Sequence, residues 1–179
     1  MSNVILGLLF VVGPQTIYSL NKFFEAGISL FYAASLGALR QALQRLLADG
    51  HVTVDEQHDG GRVKKMYSIT SAGRDAFLEW MRGPLTERDA EVGALSKLYF
   101  LGALGAPDRQ ATLETIRQRI ARDEAALQAI VPLVDGAEVP EEFRRIAHYQ
   151  RLTLEYGLRS HAFAREFFAV LDVDDTAAP

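Results

Sequence analysis

The sequence contains no cysteine, which excludes disulfides, thiol nucleophiles and cysteine-ligated zinc. Its four histidines are scattered. His51 and His58 fall in one turn-rich segment, and His148 and His161 stand too far apart on one helix to hold a metal. Motifs of catalysis are absent as well: no phosphate-cradling glycine loop, no Gly-x-Ser-x-Gly elbow, no His-Glu-x-x-His. Glu155 and His148 share a helix without a third group to complete a catalytic set. No catalytic residue, metal or cofactor is therefore assigned. Long hydrophobic runs are missing too. The longest, Val4 to Val12, falls short of the about 20 residues that cross a bilayer, and no basic leader precedes it, so neither a membrane span nor a signal peptide is expected. There is no internal repeat and no low-complexity run. What the chain does not lack is apolar mass: 49% hydrophobic residues over 179 positions suffice for one ordinary core or two small ones, and exclude a disordered chain.

The most informative stretch runs from Leu36 to Gly73. Leu36, Leu39, Leu43, Leu46 and Leu47 recur at steps of three and four, which puts them on one helix face. Gly37, Ala38, Gln41 and Arg45 fall opposite. That face is small at its start and polar and basic further along, as a helix entering a DNA groove requires: small residues let the backbone approach, and Gln and Arg reach base edges or phosphates. Asp49-Gly50 ends the helix, because glycine takes the left-handed conformation of a C-cap. Two strands follow. Val52 and Val54, then Val63, Tyr67 and Ile69, alternate with polar neighbours around a His58-Asp59-Gly60-Gly61 turn. Arg62 and Lys64 point away from the apolar face by strand parity. Lys65 shares the parity of Tyr67 but is expected beyond the edge of the core. A cationic tip of this kind suits backbone phosphate or a minor groove. Ser71 stands where an N-cap belongs, and Ala72 to Met81 places Phe77, Trp80 and Met81 inward. The order helix, hairpin, helix is that of a winged helix-turn-helix, although small α+β domains that bind nothing also contain a leucine-rich helix and a hairpin.

The segment upstream narrows the choice. Val4 to Val12 reads as a helix buried on several sides, broken at Gly13-Pro14. Thr16 caps a second helix with Leu20 and Phe24 inward, Gly27 ends it, and Ile28 turns back under the same core. Three helices, a two-stranded wing and a fourth helix complete a domain over residues 1–82. VILGLLFVVGP at the start, Tyr18 in the second helix, SLGALRQALQRLLADGHV and KMYSITSAGRDAFLEWM together resemble the PadR family of bacterial transcriptional regulators. The resemblance covers the whole N-terminal domain. It implies that the DNA-contacting set is Tyr18, Ser35, Gly37, Ala38, Arg40, Gln41, Gln44 and Arg45, with Arg62, Lys64 and Lys65 in the wing. Two positions depart from the family pattern. Ile17-Tyr18 replaces a Gly-Tyr pair, and Arg40 replaces a tyrosine in the recognition helix. Arg40 lies at the border of the apolar face by helical angle, where its guanidinium can keep a phosphate contact but loses the packing of a ring.

The formal net charge of −4 is unevenly spread. Residues 1–83 carry eight Lys/Arg and seven Asp/Glu, a net of +1, and residues 84–179 carry eleven and sixteen, a net of −5. The basic footprint is thin, so DNA binding should be salt-sensitive and should need two copies of the domain. Residues 83–107 read as a linker with a connecting helix, Ala94 to Gly102, and residues 108–179 as a helical domain capped at Asp108. A helix from Arg109 to Val131 carries Leu113, Ile116, Ile120, Leu127 and Ile130, continued past Pro132 by Val134, as a heptad seam, with Asp123 at the vacant position and Arg119, Arg122 or an arginine of a second chain as its partner. A last helix, Pro140 to Leu171, has Ile146, Tyr149, Leu152, Tyr156, Phe163 and Phe167 on one side and further apolar residues on others, a pattern that suits a two-fold dimer. The last residues, Asp172 to Pro179, read as a frayed acidic tail.

The expected architecture is thus mainly α with a small β wing, an N-terminal winged helix-turn-helix and a C-terminal helical dimerisation domain. The resemblance also implies a pocket for a small aromatic or xenobiotic effector, with Phe100, His148, Tyr149, Tyr156 and Phe163 as lining and Arg151 available to a carboxylate. Aromatic residues at helical spacing are more often core or dimer contacts. The leading function is a cytoplasmic homodimeric repressor on double-stranded operator DNA. The alternative is a winged-helix module that has lost DNA binding and works through protein contacts, a reading that the thin charge and Arg40 favour.

Overall fold

The computed structural model describes residues 1–32, 35–59, 62–86 and 90–171. Seven α-helices and one antiparallel hairpin are present among them, in the order α1 (Ser2–Val12), α2 (Ile17–Ala26), α3 (Leu36–Ala48), β1 (Val52–Asp59), β2 (Arg62–Ile69), α4 (Ser71–Arg82), α5 (Ala90–Tyr99), α6 (Ala106–Asp135) and α7 (Arg144–Ala169). Short 3₁₀ turns follow α2 and α5 and precede α7. The fold is mainly helical with a two-stranded wing, and the chain divides into two compact units, Met1–Thr112 and Leu113–Pro179.

The first unit is built around α1. Val4, Ile5, Leu6, Leu8 and Leu9 are buried, as an apolar run without polar relief must be, while the last turn at Val11 and Val12 is exposed. Leu20 and Phe24 of α2, Ile28 beyond it, Leu39, Leu43 and Leu46 of α3, Val52 of β1 and Phe77 and Met81 of α4 close the same core. The segment 83–107, expected as a linker and connecting helix, lies within this unit. Ala94 is buried, and Phe100 and Leu104 belong to the core cluster. Phe100 lies against Gly7, where an added Cβ would meet the ring at 2.7 Å. It also meets Phe77 edge to face at 5.6 Å. Lys97 is fully buried and donates to the carbonyls of Gly83 and Pro84, with its ammonium 5.6 Å from the Trp80 ring centroid.

In the second unit α7 runs back along α6. Arg117 donates to the carbonyls of Phe168 and Leu171 at 2.9 and 2.8 Å, Arg165 grips the buried Glu124 at 2.9 and 3.0 Å, and Arg151 meets Asp135 at 2.8 Å. Asp123 has the partner that its place in the seam demands: Arg119 Nε lies 2.7 Å away. Leu113, Ile116 and Ile120 of the seam are buried, whereas Ile130 and Val134 are exposed.

Several expected boundaries shift. The N-cap of α4 is Thr70, not Ser71: its Oγ1 accepts from Gly73 N at 3.0 Å and donates to Gly50 O at 2.8 Å, so one hydroxyl serves both helix start and wing base. Asp108 is not a cap. The helix begins at Ala106, and Asp108 pairs with Arg82 at 2.9 Å. α6 continues through Pro132 to Asp135, because a proline one turn from a helix end costs a single hydrogen bond. α7 starts at Arg144, after a 3₁₀ turn at Glu141–Phe143. His58 and Asp59 belong to β1, paired with Val63 and Arg62. The Gly60-Gly61 turn, the Arg62 side chain and the tail from Asp172 lie outside the described residues.

Candidate nucleic-acid interface

α3 presents its faces as its periodicity requires. Leu39, Ala42, Leu43 and Leu46 are buried, and Gly37, Arg40, Gln41, Gln44 and Arg45 are exposed along the opposite stripe, with Ala38 half-buried beside them. Ser35 caps the helix by accepting from Ala38 N at 3.2 Å. Arg40, read from its angle as a border residue, is exposed on the outer stripe. A Cβ at Gly37 would meet nothing closer than Ser35 Oγ at 3.8 Å, so packing does not require glycine there. What it leaves is bare backbone on the outward face. The far end closes in a Schellman turn: His51 N donates to Leu46 O and Gly50 N to Leu47 O, with Gly50 at φ 72°.

That turn anchors the wing. Thr70 N donates to His51 O at 3.0 Å, and a Cβ at Gly73 would lie 2.1 Å from the same carbonyl oxygen. Only glycine lets α4 begin this close to the end of α3. From this base the hairpin runs in register from Val52 opposite Ile69 to Asp59 opposite Arg62. Val52 is buried, but the same face further out carries Val54 with Tyr67, Glu56 with Lys65, and then Val63. The hairpin thus outruns the core, and its inner face continues past it. Lys64 and Lys65 are exposed, and Lys65 Nζ lies 3.5 Å from Glu56.

A third strand-like contact fixes α2 to the wing. Gln15 and Tyr67 exchange both backbone hydrogen bonds, at 3.0 and 2.8 Å. Immediately after, Thr16 and Ser19 form a reciprocal capping box that starts α2. Tyr18 therefore projects from the first turn beside β2, with 68% of its surface exposed.

These three pieces enclose a groove of about 420 Å³. Arg40 and Gln44 line it from α3, Tyr18 from α2, and Lys64 and Lys65 from β2. Five of the residues chosen from the sequence thus meet at one place. Ser35, Gly37, Ala38, Gln41 and Arg45 share the outer side of α3 or its cap without lining this groove. Thr16, Ile17, Val63 and Tyr67 complete the lining and were not among the predicted contacts. The signal for Val63 was its parity with Lys65 on a strand longer than the core it covers. The groove thus combines cations, amide and hydroxyl groups with apolar walls, the chemistry of a passage for a sugar-phosphate backbone.

The residues chosen for an effector pocket fall in both units. Phe100 is core of the first, and the other five lie on α7. There His148, Tyr149, Tyr156 and Phe163 are exposed, and Arg151 is held by Asp135. Among the described residues no cluster of His, Asp or Glu could hold a metal, and no helix is long and apolar enough to cross a membrane.

The profile of the transcriptional regulator PadR-like family matches residues 5–79. The segment 5–79 is thus PadR-like. That family is one of transcriptional regulators, not of enzymes. The matched range takes in most of α1, the groove and most of α4, and with them every candidate DNA contact. Among solved structures, the chain is similar to Bacillus subtilis PadR in complex with operator DNA, at 20% identity over 94% of this chain and 95% of that chain, TM-score 0.44. It is also similar to Bacillus subtilis PadR in complex with p-coumaric acid, at 20% identity over 94% and 90%, TM-score 0.40. The Vibrio cholerae virulence activator AphA is similar at 23% identity over 94% of each chain, TM-score 0.39. No curated protein matches the sequence at a significant level.

Proposed function

We propose that this chain is a cytoplasmic transcriptional repressor that binds a pseudo-palindromic operator as a homodimer and is released by a small aromatic or xenobiotic ligand. The observation that carries the DNA-binding part is the convergence of Tyr18, Arg40, Gln44, Lys64 and Lys65 on one groove beside the bare outer face of α3. In this reading α3 enters the major groove, Gln41 and Arg45 meet base edges or phosphates, and one backbone strand passes between α3 and the wing. Ser35, Gly37 and Ala38 let the start of α3 approach closely, and Arg62 extends the cationic wing.

The dimer is supported by the second unit. Ile146, Tyr149, Tyr156, Phe163 and Phe167 form an exposed apolar stripe along α7, which a soluble monomer would leave in water. In the dimer residues 108–179 are the pairing domain and residues 1–82 the reading domain. The effector acts on the aromatic side of α7, with His148, Tyr149, Arg151, Tyr156 and Phe163 as its contacts.

Fluorescence anisotropy against a duplex from the promoter of the chain's own gene tests the reading. Salt-sensitive binding that weakens in Arg45→Ala and in Lys64→Ala supports it, and no binding at low salt overturns it. An aromatic carboxylic acid such as p-coumaric acid, added to the preformed complex, tests release.

A further inference from the structure

We propose that Glu56 competes with backbone phosphate for Lys65 and so holds down the sequence-independent affinity of the groove for DNA. The inference rests on the DNA-binding reading above and assigns to a carboxylate outside the contact set the task of limiting that binding.

Glu56 and Lys65 are cross-strand partners in the β1–β2 register, on the wing face that continues outward from Val54 and Tyr67. Their charged atoms lie 3.5 Å apart, and the side chains are 54% and 61% exposed, so the pair is open to an incoming anion. Lys65 lines the groove together with Arg40 and Lys64, and the described lining residues include no carboxylate. Among the described residues, the negative charge that Lys65 meets is Glu56. A phosphate that enters must take the place of this carboxylate at the ammonium.

The consequence is thermodynamic. A lysine that neutralises a phosphate releases condensed counterions from the duplex, which steepens the salt dependence by about 0.9 per contact. A lysine shared with a fixed carboxylate contributes less than that. Exposed ion pairs are weak, so Glu56 biases the lysine without locking it. The bias acts on every sequence alike, because phosphate carries no base information. Stable occupancy then depends more on what α3 contributes at the base edges.

The test is a salt titration of anisotropy on a shuffled duplex, with the full chain, Glu56→Gln, Lys65→Gln and the double variant. Glu56→Gln should bind about three- to five-fold more tightly at low salt, with a slope steeper by up to about 0.9. Lys65→Gln should bind more weakly, and adding Glu56→Gln to it should restore little, since the carboxylate acts through the lysine. Unchanged or weaker binding by Glu56→Gln overturns the proposal. So does a gain that persists in full without Lys65, which would be plain repulsion of DNA by the carboxylate. A wild-type chain that binds no duplex at low salt instead overturns the DNA-binding reading, and this inference falls with it.

Discussion

Two glycines divide the demands of folding from those of recognition. At Gly73 a Cβ would stand 2.1 Å from His51 O, a backbone atom that cannot move without opening the wing base. Gly73→Ala should lower the unfolding free energy by about 3 kcal/mol, read by urea denaturation, since overpacking against backbone has no soft neighbour to yield. At Gly37 the space is open. Gly37→Ala should leave the protein as stable or firmer by about 0.5 kcal/mol, because alanine favours the helix. The same variant should weaken DNA binding several-fold in anisotropy if α3 lies close to a groove floor. A variant that binds as well as wild type would remove Gly37 from the contact set. Glycine's role at Gly50 was legible from Asp-Gly after a leucine stripe. That of Gly73 was not, because the carbonyl it accommodates belongs to a turn more than twenty positions away. The cap at Thr70 was hidden for a similar reason: Ser71 is an equally good cap residue, and the choice is made by the bond from Thr70 to Gly50 O.

At the scale of elements, periodicity located the helices well where one face was apolar. α2, α3 and α4 appear close to where their stripes and caps put them, and the alternation in the wing gave both strands. What sequence did not show is how far the hairpin outruns the core, which follows from its register and from the exchange of backbone hydrogen bonds between Gln15 and Tyr67. The segment after Gly83-Pro84 looked like a linker because breakers and charges dominate it. It packs because Phe100 fills the space above Gly7 and Lys97 satisfies the carbonyls at the end of α4. In the second unit the seam of α6 is buried only at Leu113, Ile116 and Ile120, and the aromatic stripe of α7 is exposed. If α7 pairs two chains, light scattering at micromolar concentration should give twice the 19.8 kDa chain mass. Replacing Tyr156 and Phe163 with glutamate should return it to one chain mass, as charge in an apolar interface costs several kcal/mol without a partner. A wild-type monomer would contradict the role given to α7.

For the whole molecule the distribution of charge matters more than its sum. Residues 1–83 carry a net of only +1, and the rest of the chain −5, so on the proposed reading attraction to DNA comes from a small patch set on a nearly neutral domain. Arg40, Lys64 and Lys65 supply that patch in the groove, and Arg45 adds a charge further along α3. Such an interface holds only with its cations intact, with little competing salt and with two copies engaged at once. The measurement that tests this most directly is anisotropy of a labelled duplex from the chain's own promoter, titrated with wild type and Lys64→Ala over a range of salt. Wild type should bind with a steep salt slope, and Lys64→Ala should bind more weakly at every salt with a slope shallower by about 0.9, one phosphate contact fewer. Binding that is absent, or that Lys64→Ala leaves unchanged in strength and slope, would contradict a backbone grip in the groove between α3 and the wing.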